Sequence, residues 1–179
     1  MTRSIPTAAV LLVLFSVTPV SGADSAAPFP HIRSNQAELL EAVDQASRVS
    51  ATFHQLAQRL SASDVIVYLH YRIATEPGLA GATSFMTAAG GVRYLRVSID
   101  PRLSWCQRFA LLGHELQHAV EIAAAPSVVD QPSLEALYRR VGFRSPAACA
   151  RCFESAGAIA AGQRVQREVL TRRRDAAIR

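Results

Sequence analysis

The chain contains no lysine: all 19 of its basic residues are arginine, against 14 acidic residues, for a formal charge of +5. An all-arginine set invites a reading as a phosphate or nucleic-acid binder through bidentate guanidinium contacts. The arginines are scattered, however, and no basic stripe interleaved with aromatic residues runs along the chain. Their one run, Arg172 to Arg174, falls near the C-terminus, where the end of a helix favours cations through its dipole. No nucleic-acid partner is expected, and the missing lysine reads as a bias of composition.

Cysteine is scarce, with three in the chain: Cys106, Cys149 and Cys152. The "CARC" of 149–152 has no second CxxC and no thioredoxin-like strand before it, which sets aside a paired-CxxC zinc site and redox catalysis. A structural disulfide is expected instead, either one involving Cys106 or a local Cys149–Cys152 bridge. Long apolar runs are also missing: after Ala23 none reaches the roughly 20 residues that a spanning helix needs. Before it, Arg3, the apolar run Ala8 to Phe15 and the small residues Ser21, Gly22 and Ala23 follow the layout of a secretory signal peptide. Residues 1–23 are therefore expected to be cleaved, without a lipid-anchoring cysteine. The remaining chain should be exported, periplasmic or secreted, with no stable membrane insertion.

At 179 residues one domain with a real core is expected. Residues 24–34 read as a flexible lead-in and 35–175 as the domain. From Asn35, a candidate N-cap, apolar residues recur at helical spacing (Leu39, Val43, Ala46, Val49, Phe53, Leu56, Leu60), giving one long or two consecutive helices. The period then changes. "DVIVYLHYR" and "GVRYLRVSID" read as strands, and Gly90-Gly91 turns "ATSFMTA" back onto the second as a hairpin. A small sheet of about three strands, mostly antiparallel, is expected.

Asp100-Pro101 is a good helix start, and the helix it opens should run to about Ala124, stopped by Pro126. A short helix over Ser133 to Val141 ends at Gly142. A last one begins at Ser145-Pro146. The class is α+β.

The chemistry lies in "LLGHELQHAVEIA", Leu111 to Ala123. Residues four apart share a helix face, so His114 and His118 can reach one ion while Glu115 projects beside it. Zinc takes nitrogen and anionic ligands in tetrahedral array, and a catalytic site leaves the fourth position to water. Without a partner, a Glu and two His among Leu111, Leu112, Leu116, Val120 and Ile122 would cost about several kcal/mol.

"HELQH" resembles the HExxH signature of the zincin metallopeptidases. The resemblance implies a zincin-like fold, an N-terminal helix and small sheet followed by the motif helix and C-terminal helices. It implies Zn2+ held by His114 and His118, Glu115 as general base and acid, and a peptide or protein substrate lying against the sheet edge. The metzincin continuation is absent: position 121 is Glu, position 124 is Ala, and no His follows His118. A carboxylate must complete the site, as on the gluzincin side.

Five acidic candidates follow within reach in sequence: Glu121, Asp130, Glu135, Glu154 and Glu168. Glu121 lies about 4.5 Å further along the helix axis, which suits it better to hold a ligand from behind. Glu135 has a gluzincin-like spacing, yet Arg139 four residues on explains it as a surface pair. Glu154 sits among apolar and small neighbours, where a carboxylate is costly unless something positive meets it. Glu154 is the expected third ligand and Glu135 the alternative. Ser155, Ala156, Gly157 and Ala158 would let the last helix approach the motif helix.

Position 158 is Ala where several gluzincins carry an Asp that orients a ligand His, so the group that buttresses the histidines is open, and Glu121 or Asp130 could do it. His31, His54 and His70 read as structural. Tyr94, Tyr138, Arg139 and Arg140 are open candidates for oxyanion or substrate-carboxylate contacts. The competing reading is a non-catalytic exported zinc-binding domain.

Overall fold

The computed structural model describes residues 28–74, 79–145 and 152–178. The expected signal peptide lies outside the described residues. The class is α+β, with five helices and a small sheet among the described residues. The long apolar pattern after Asn35 divides into α1 (Ala37–Val49) and α2 (Ala51–Ser61). Ser50 makes the break: its backbone is extended, and its hydroxyl accepts from Phe53 N at 3.0 Å, capping α2. Asn35 is not the cap of α1. Gln36 holds that position, and its Oε1 instead accepts from Tyr71 N at 2.7 Å.

The expected lead-in is part of the fold where it is described. Ile32, only 2% exposed, lies in β1 (Ile32–Arg33), which pairs in parallel with β2 (Val65–Tyr71). The hairpin is present as β3 (Gly81–Ala89) and β4 (Val92–Ile99), turned by Gly90 and Gly91 at positive φ. The order is β1-β2-β4-β3, with β1, β2 and β4 parallel and β3 antiparallel at the edge.

The expectation of three mostly antiparallel strands is thus corrected to four, mostly parallel. The reason lies in which hairpin arm goes inside. β4 buries Leu95, Val97 and Ile99 completely and takes the centre, whereas β3, "GATSFMTAA", is small and polar enough for an edge.

The motif helix α3 (Trp105–Ala123) starts four residues later than expected. Ser104 caps it in a reciprocal pair with Gln107, while the Asp100 carboxylate binds Arg102 and the backbone of Ala74. Then follow α4 (Gln131–Val141), ended at Gly142, and the short antiparallel pair β5 (Phe143–Arg144) and β6 (Phe153–Glu154). The last helix, α5 (Ala156–Ala177), is capped by Ser155. It therefore does not begin at Ser145, whose backbone N–H instead bonds Cys152 O across the ribbon at 3.0 Å.

Val65, Val67 and Leu69 of β2, with the three buried residues of β4, meet Leu112 and Leu116 of α3 in one core. Each such side chain contributes about 1.5–3 kcal/mol by leaving water. α3 and α5 approach closely at glycines: a Cβ on Gly113 would stand 2.7 Å from Val165 Cγ2, and one on Gly162 would stand 3.1 Å from His114 Cβ.

Two polar anchors set the position of α3 and α5. Arg93 of β4 is 4% exposed, and its guanidinium donates to the carbonyls of Ile122 at 2.8 Å, Ala123 at 3.1 Å and Ala125 at 2.7 Å. These are carbonyls at and just beyond the end of α3, and those of Ile122 and Ala125 also accept from the backbone N–H groups of Ala125 and Val128 at 3.0 Å. The same group grips Asp64 through Nε and NH2, at 2.8 and 2.7 Å. Glu168 of α5 reaches the start of α2, where its carboxylate accepts from the Ser50 hydroxyl and from Thr52 N at 3.1 Å and Thr52 Oγ1 at 2.7 Å. A carboxylate at a helix N-terminus is favoured by the dipole.

Arg93→Met should cost about 3–5 kcal/mol in urea unfolding, because it removes charge-assisted hydrogen bonds to three carbonyls and leaves Asp64 without its partner. Asp64→Asn, on a side chain 44% exposed, should cost about 1 kcal/mol or less. Burial pushes the Glu168 carboxyl up, but the Ser50 and Thr52 hydrogen bonds outweigh it and hold its pKa below the ordinary value. A depressed carboxylate stabilises the fold above its unfolded pKa and loses that contribution as pH falls through the folded value. Glu168→Gln should therefore cost stability at pH 7 and cost less near pH 3, as read from thermal midpoints across that range.

Candidate metal centre

Two helical turns of α3, the ribbon strand β6 and the edge strand β3 bring the site together. His114 and His118 stand on one face of α3, with ring centroids 4.9 Å apart. Both direct Nε2 at one oxygen of Glu154, Oε1, at 3.1 and 3.0 Å. One ligand atom from each of the three residues lies within 4.8 Å of the others, a set that could hold a metal ion. Glu154 is thus the carboxylate that the fold brings to the two imidazoles. It reaches them from β6, just before α5, and Ser155 N donates to the same oxygen at 3.0 Å.

The other acidic candidates are accounted for elsewhere. Glu135 pairs with Arg139 at 3.2 Å, as its spacing suggested, although it also lines the cleft beside the cluster. Asp130 caps α4 by accepting from Ser133 N at 2.8 Å, and it is not among the partners of either His. Glu168 belongs to the start of α2.

Glu121 stands behind His118: its Oε2 lies 3.3 Å from Nδ1, and its Oε1 accepts from Ser155 Oγ at 2.7 Å. Tyr138 of α4 completes this support, its hydroxyl 2.8 Å from His118 Nδ1 and 3.1 Å from Glu121 Oε2. With Nδ1 engaged, Nε2 of His118 is left to face Glu154. A Cβ on Gly157 would come within 2.7 Å of Glu121 Oε1, so the small residue clears space for the carboxylate.

Glu115, 3% exposed, is held by the edge strand: Thr83 Oγ1 donates to its Oε2 at 2.7 Å. Gly81 lies against Oε1, where a Cβ would be 2.7 Å away. Neither contact was readable from the sequence, because nothing in "GATSFMTA" marks a residue that will face a helix. Ser155 did carry a signal, a capping type directly after Glu154. Of the four open candidates, Tyr138 enters the site. Tyr94 stacks on Tyr68 and Arg139 pairs with Glu135, while Arg140 is exposed. His31, His54 and His70 meet Val65 O, the Phe29 ring and Ser98, which fits structural roles.

The electrostatics follow from three carboxylates around two imidazoles. Burial works against charge on His118, but hydrogen bonds with Glu121 and Glu154 and the nearby Glu115 charge outweigh it and raise its pKa to about 9. Burial likewise opposes ionisation of Glu154, yet His114 and His118 hold it well below the carboxylate range. Glu121 is lowered in the same sense, with burial outweighed by His118, Ser155 and Gln117. Burial and the Glu121 charge keep the Tyr138 phenol protonated by pushing it up. The carboxylates thus favour positive charge at this spot, on an imidazole or on an ion the cluster could hold.

The cluster lines a cleft of about 360 Å³. The free edge of β3 forms one side. Phe85 N–H points away from β4, to Gln131 Oε1 at 3.3 Å, so Thr83 and Gly81 present backbone groups to the same side. Leu134 and Phe153 supply apolar wall, and Cys152 lies at the rim. Cys152 is disulfide-bonded and Cys106 is a free thiol, so the bridge excludes Cys106. Cys149, the expected local partner, lies outside the described residues. No helix among the described residues is long and apolar enough to cross a membrane.

If Glu121 holds His118 in place, Glu121→Gln should weaken divalent-metal affinity about 10- to 100-fold in chelator competition. Asp130→Ala should leave that affinity unchanged and cost about 1 kcal/mol of stability through its lost cap. No protein family, curated protein or solved structure that was compared matches this chain.

Proposed function

We propose that the chain is an exported zinc-dependent peptidase of zincin-like design, with His114, His118 and Glu154 as zinc ligands and Glu115 as general base and acid. The observation that carries this reading is the convergence of both Nε2 atoms on one Glu154 oxygen, with Glu115 on the same helix held at the mouth of the edge-strand cleft. The donor set suits zinc. Two imidazole nitrogens and a carboxylate make three of four tetrahedral positions, and the rear nitrogen of His118 is tied to a carboxylate and a phenol.

Zinc bound there would supply a water of near-neutral pKa and polarise a substrate carbonyl. The remaining chemistry belongs to the chain. Glu115 takes a proton from the attacking water, and Oε1 is its receiving atom, because Oε2 is engaged by Thr83. That proton then passes from Oε1 to the leaving amine. Thr83 keeps the carboxylate from rotating between the two transfers. An extended substrate pairs with the backbone groups of Gly81 and Thr83, which gives affinity without reading side chains. The Gln131 side chain caps Phe85 N–H, the next outward donor along the edge.

The alternative, a non-catalytic zinc domain, has the same three ligands but gives Glu115 no task. A buried carboxylate steadied by a threonine hydroxyl at the cleft favours the catalytic reading. Purified protein should carry about one zinc per chain and cleave an unstructured polypeptide such as reduced casein. A chelator should abolish the cleavage. Glu115→Gln should retain the zinc while cleavage falls at least about a hundredfold, in the range of a lost general base. Zinc retention with undiminished cleavage would remove Glu115 from the reaction, and absence of cleavage in the wild type would favour the binding domain.

A further inference from the structure

The sheet has a second face, away from α3, and its chemistry differs from that of the cleft. β1 to β4 contain no acidic residue. Strand order assembles on that face residues that are far apart in sequence: Arg33 of β1 pairs in register with Tyr68 of β2, Tyr68 with Arg96 of β4, and Arg96 with Ser84 of β3. The result is an Arg-Tyr-Arg-Ser row running across the strands. At the usual strand spacing its two arginines stem from backbones about 10 Å apart.

Tyr94, one step along β4, stacks on Tyr68 with centroids 6.4 Å apart and planes at 29°. Arg33 and Arg96 are exposed, Tyr68 is 36% exposed and Met86 beside them 43%. Among the described residues neither arginine has an ion-pair partner within 4 Å. A groove of about 750 Å³ crosses this face, and its lining includes Arg33, Tyr68, His70 and Arg96 but no carboxylate. The positive field is felt locally: after burial, the charges of Arg96 and Arg72 are what hold the His70 pKa down.

We infer that the outer face of the sheet is a binding surface for an acidic polysaccharide, whose uronate carboxylates meet Arg33 and Arg96 while a sugar ring lies on the Tyr68–Tyr94 platform. Guanidinium forks match planar carboxylates bidentately. A flat aromatic surface beside them suits the apolar face of a pyranose ring. Grooves for single-stranded nucleic acid use successive aromatic side chains to stack successive bases. Here the two rings stack on each other and make one platform, which favours the glycan. The surface stands apart from the metal centre: the row residues point away from α3, and none of them lines the cleft. This inference does not depend on catalysis.

The test is binding of the full chain to polygalacturonate, heparin, neutral dextran and oligo(dT), by calorimetry at low and moderate salt. Polygalacturonate and heparin should bind and weaken as salt rises, and dextran should not. The double variant Arg33→Gln/Arg96→Gln should lose at least tenfold in affinity for polygalacturonate, and Tyr68→Leu should lose severalfold, with thermal midpoint and zinc content unchanged. Polygalacturonate binding no better than dextran, or insensitive to the double variant, would overturn the inference. Binding of heparin alone would overturn the uronate assignment, and tighter binding of oligo(dT) than of either acidic glycan would reassign the face to nucleic acid.

Discussion

The fold depends on how a helix that is both core and site can be buried. α3 lies against the sheet on one side and α5 on another, and it hides Leu112, Leu116 and Ile122 together with Glu115 and His118. An ionisable side chain placed so deep must find its partner on another element, because a free carboxylate or imidazole there costs about several kcal/mol. Each one does. β3 supplies Thr83 to Glu115, α4 supplies Tyr138 to His118, β6 supplies Glu154 to both histidines, and Ser155 steadies Glu121. The polar residues of one helix thereby dictate where four other segments must stand.

Close approach makes those partnerships reachable. Gly113 and Gly162 bring α3 and α5 together at the level of His114, which sets Glu154, two residues before α5, in front of the imidazoles. Arg93 fixes the far end of α3 to the central strand, and Glu168 fixes α5 to the start of α2. Both anchors place a charged group against backbone atoms at a helix end. The site is therefore held between two clamped helices.

How much of this is legible in the chain depends on whether a residue acts within its own segment. The helical face shared by His114 and His118, the cost of an unpartnered Glu154, the hairpin at Gly90-Gly91 and the Glu135–Arg139 pair are local facts, and reading them locally suffices. The sheet order is not local. Which arm of the hairpin pairs with β2 is decided by the burial of Leu95, Val97 and Ile99 against α3, and the choice of the inner arm makes the sheet mostly parallel. The same choice places Thr83 on the edge beside Glu115 and gathers Arg33, Tyr68 and Arg96 into one row. A basic stripe interleaved with an aromatic ring is absent along the chain and present across the strands. Capping positions were missed for a related reason: Asp100 and Asn35 are good caps in isolation, but Asp100 is engaged by Arg102, and Gln36 is tied to β2.

The edge strand then bears on both the topology and the site. β3 has small residues from Gly81 to Ser84, so its inward face can lie against Glu115 and Leu111 without displacing them. A bulkier strand would push the carboxylate away from the imidazoles, and a more apolar one would compete with β4 for the centre of the sheet. Smallness at this edge thus serves the topology and the site together. It also leaves backbone groups of Gly81 and Thr83 open towards the cleft, while Gln131 satisfies Phe85 where the cleft ends. An open edge invites pairing with other chains, and the part of it formed by Gly81 and Thr83 lies beside the His–Glu cluster, where the proposed function would have an extended peptide pair.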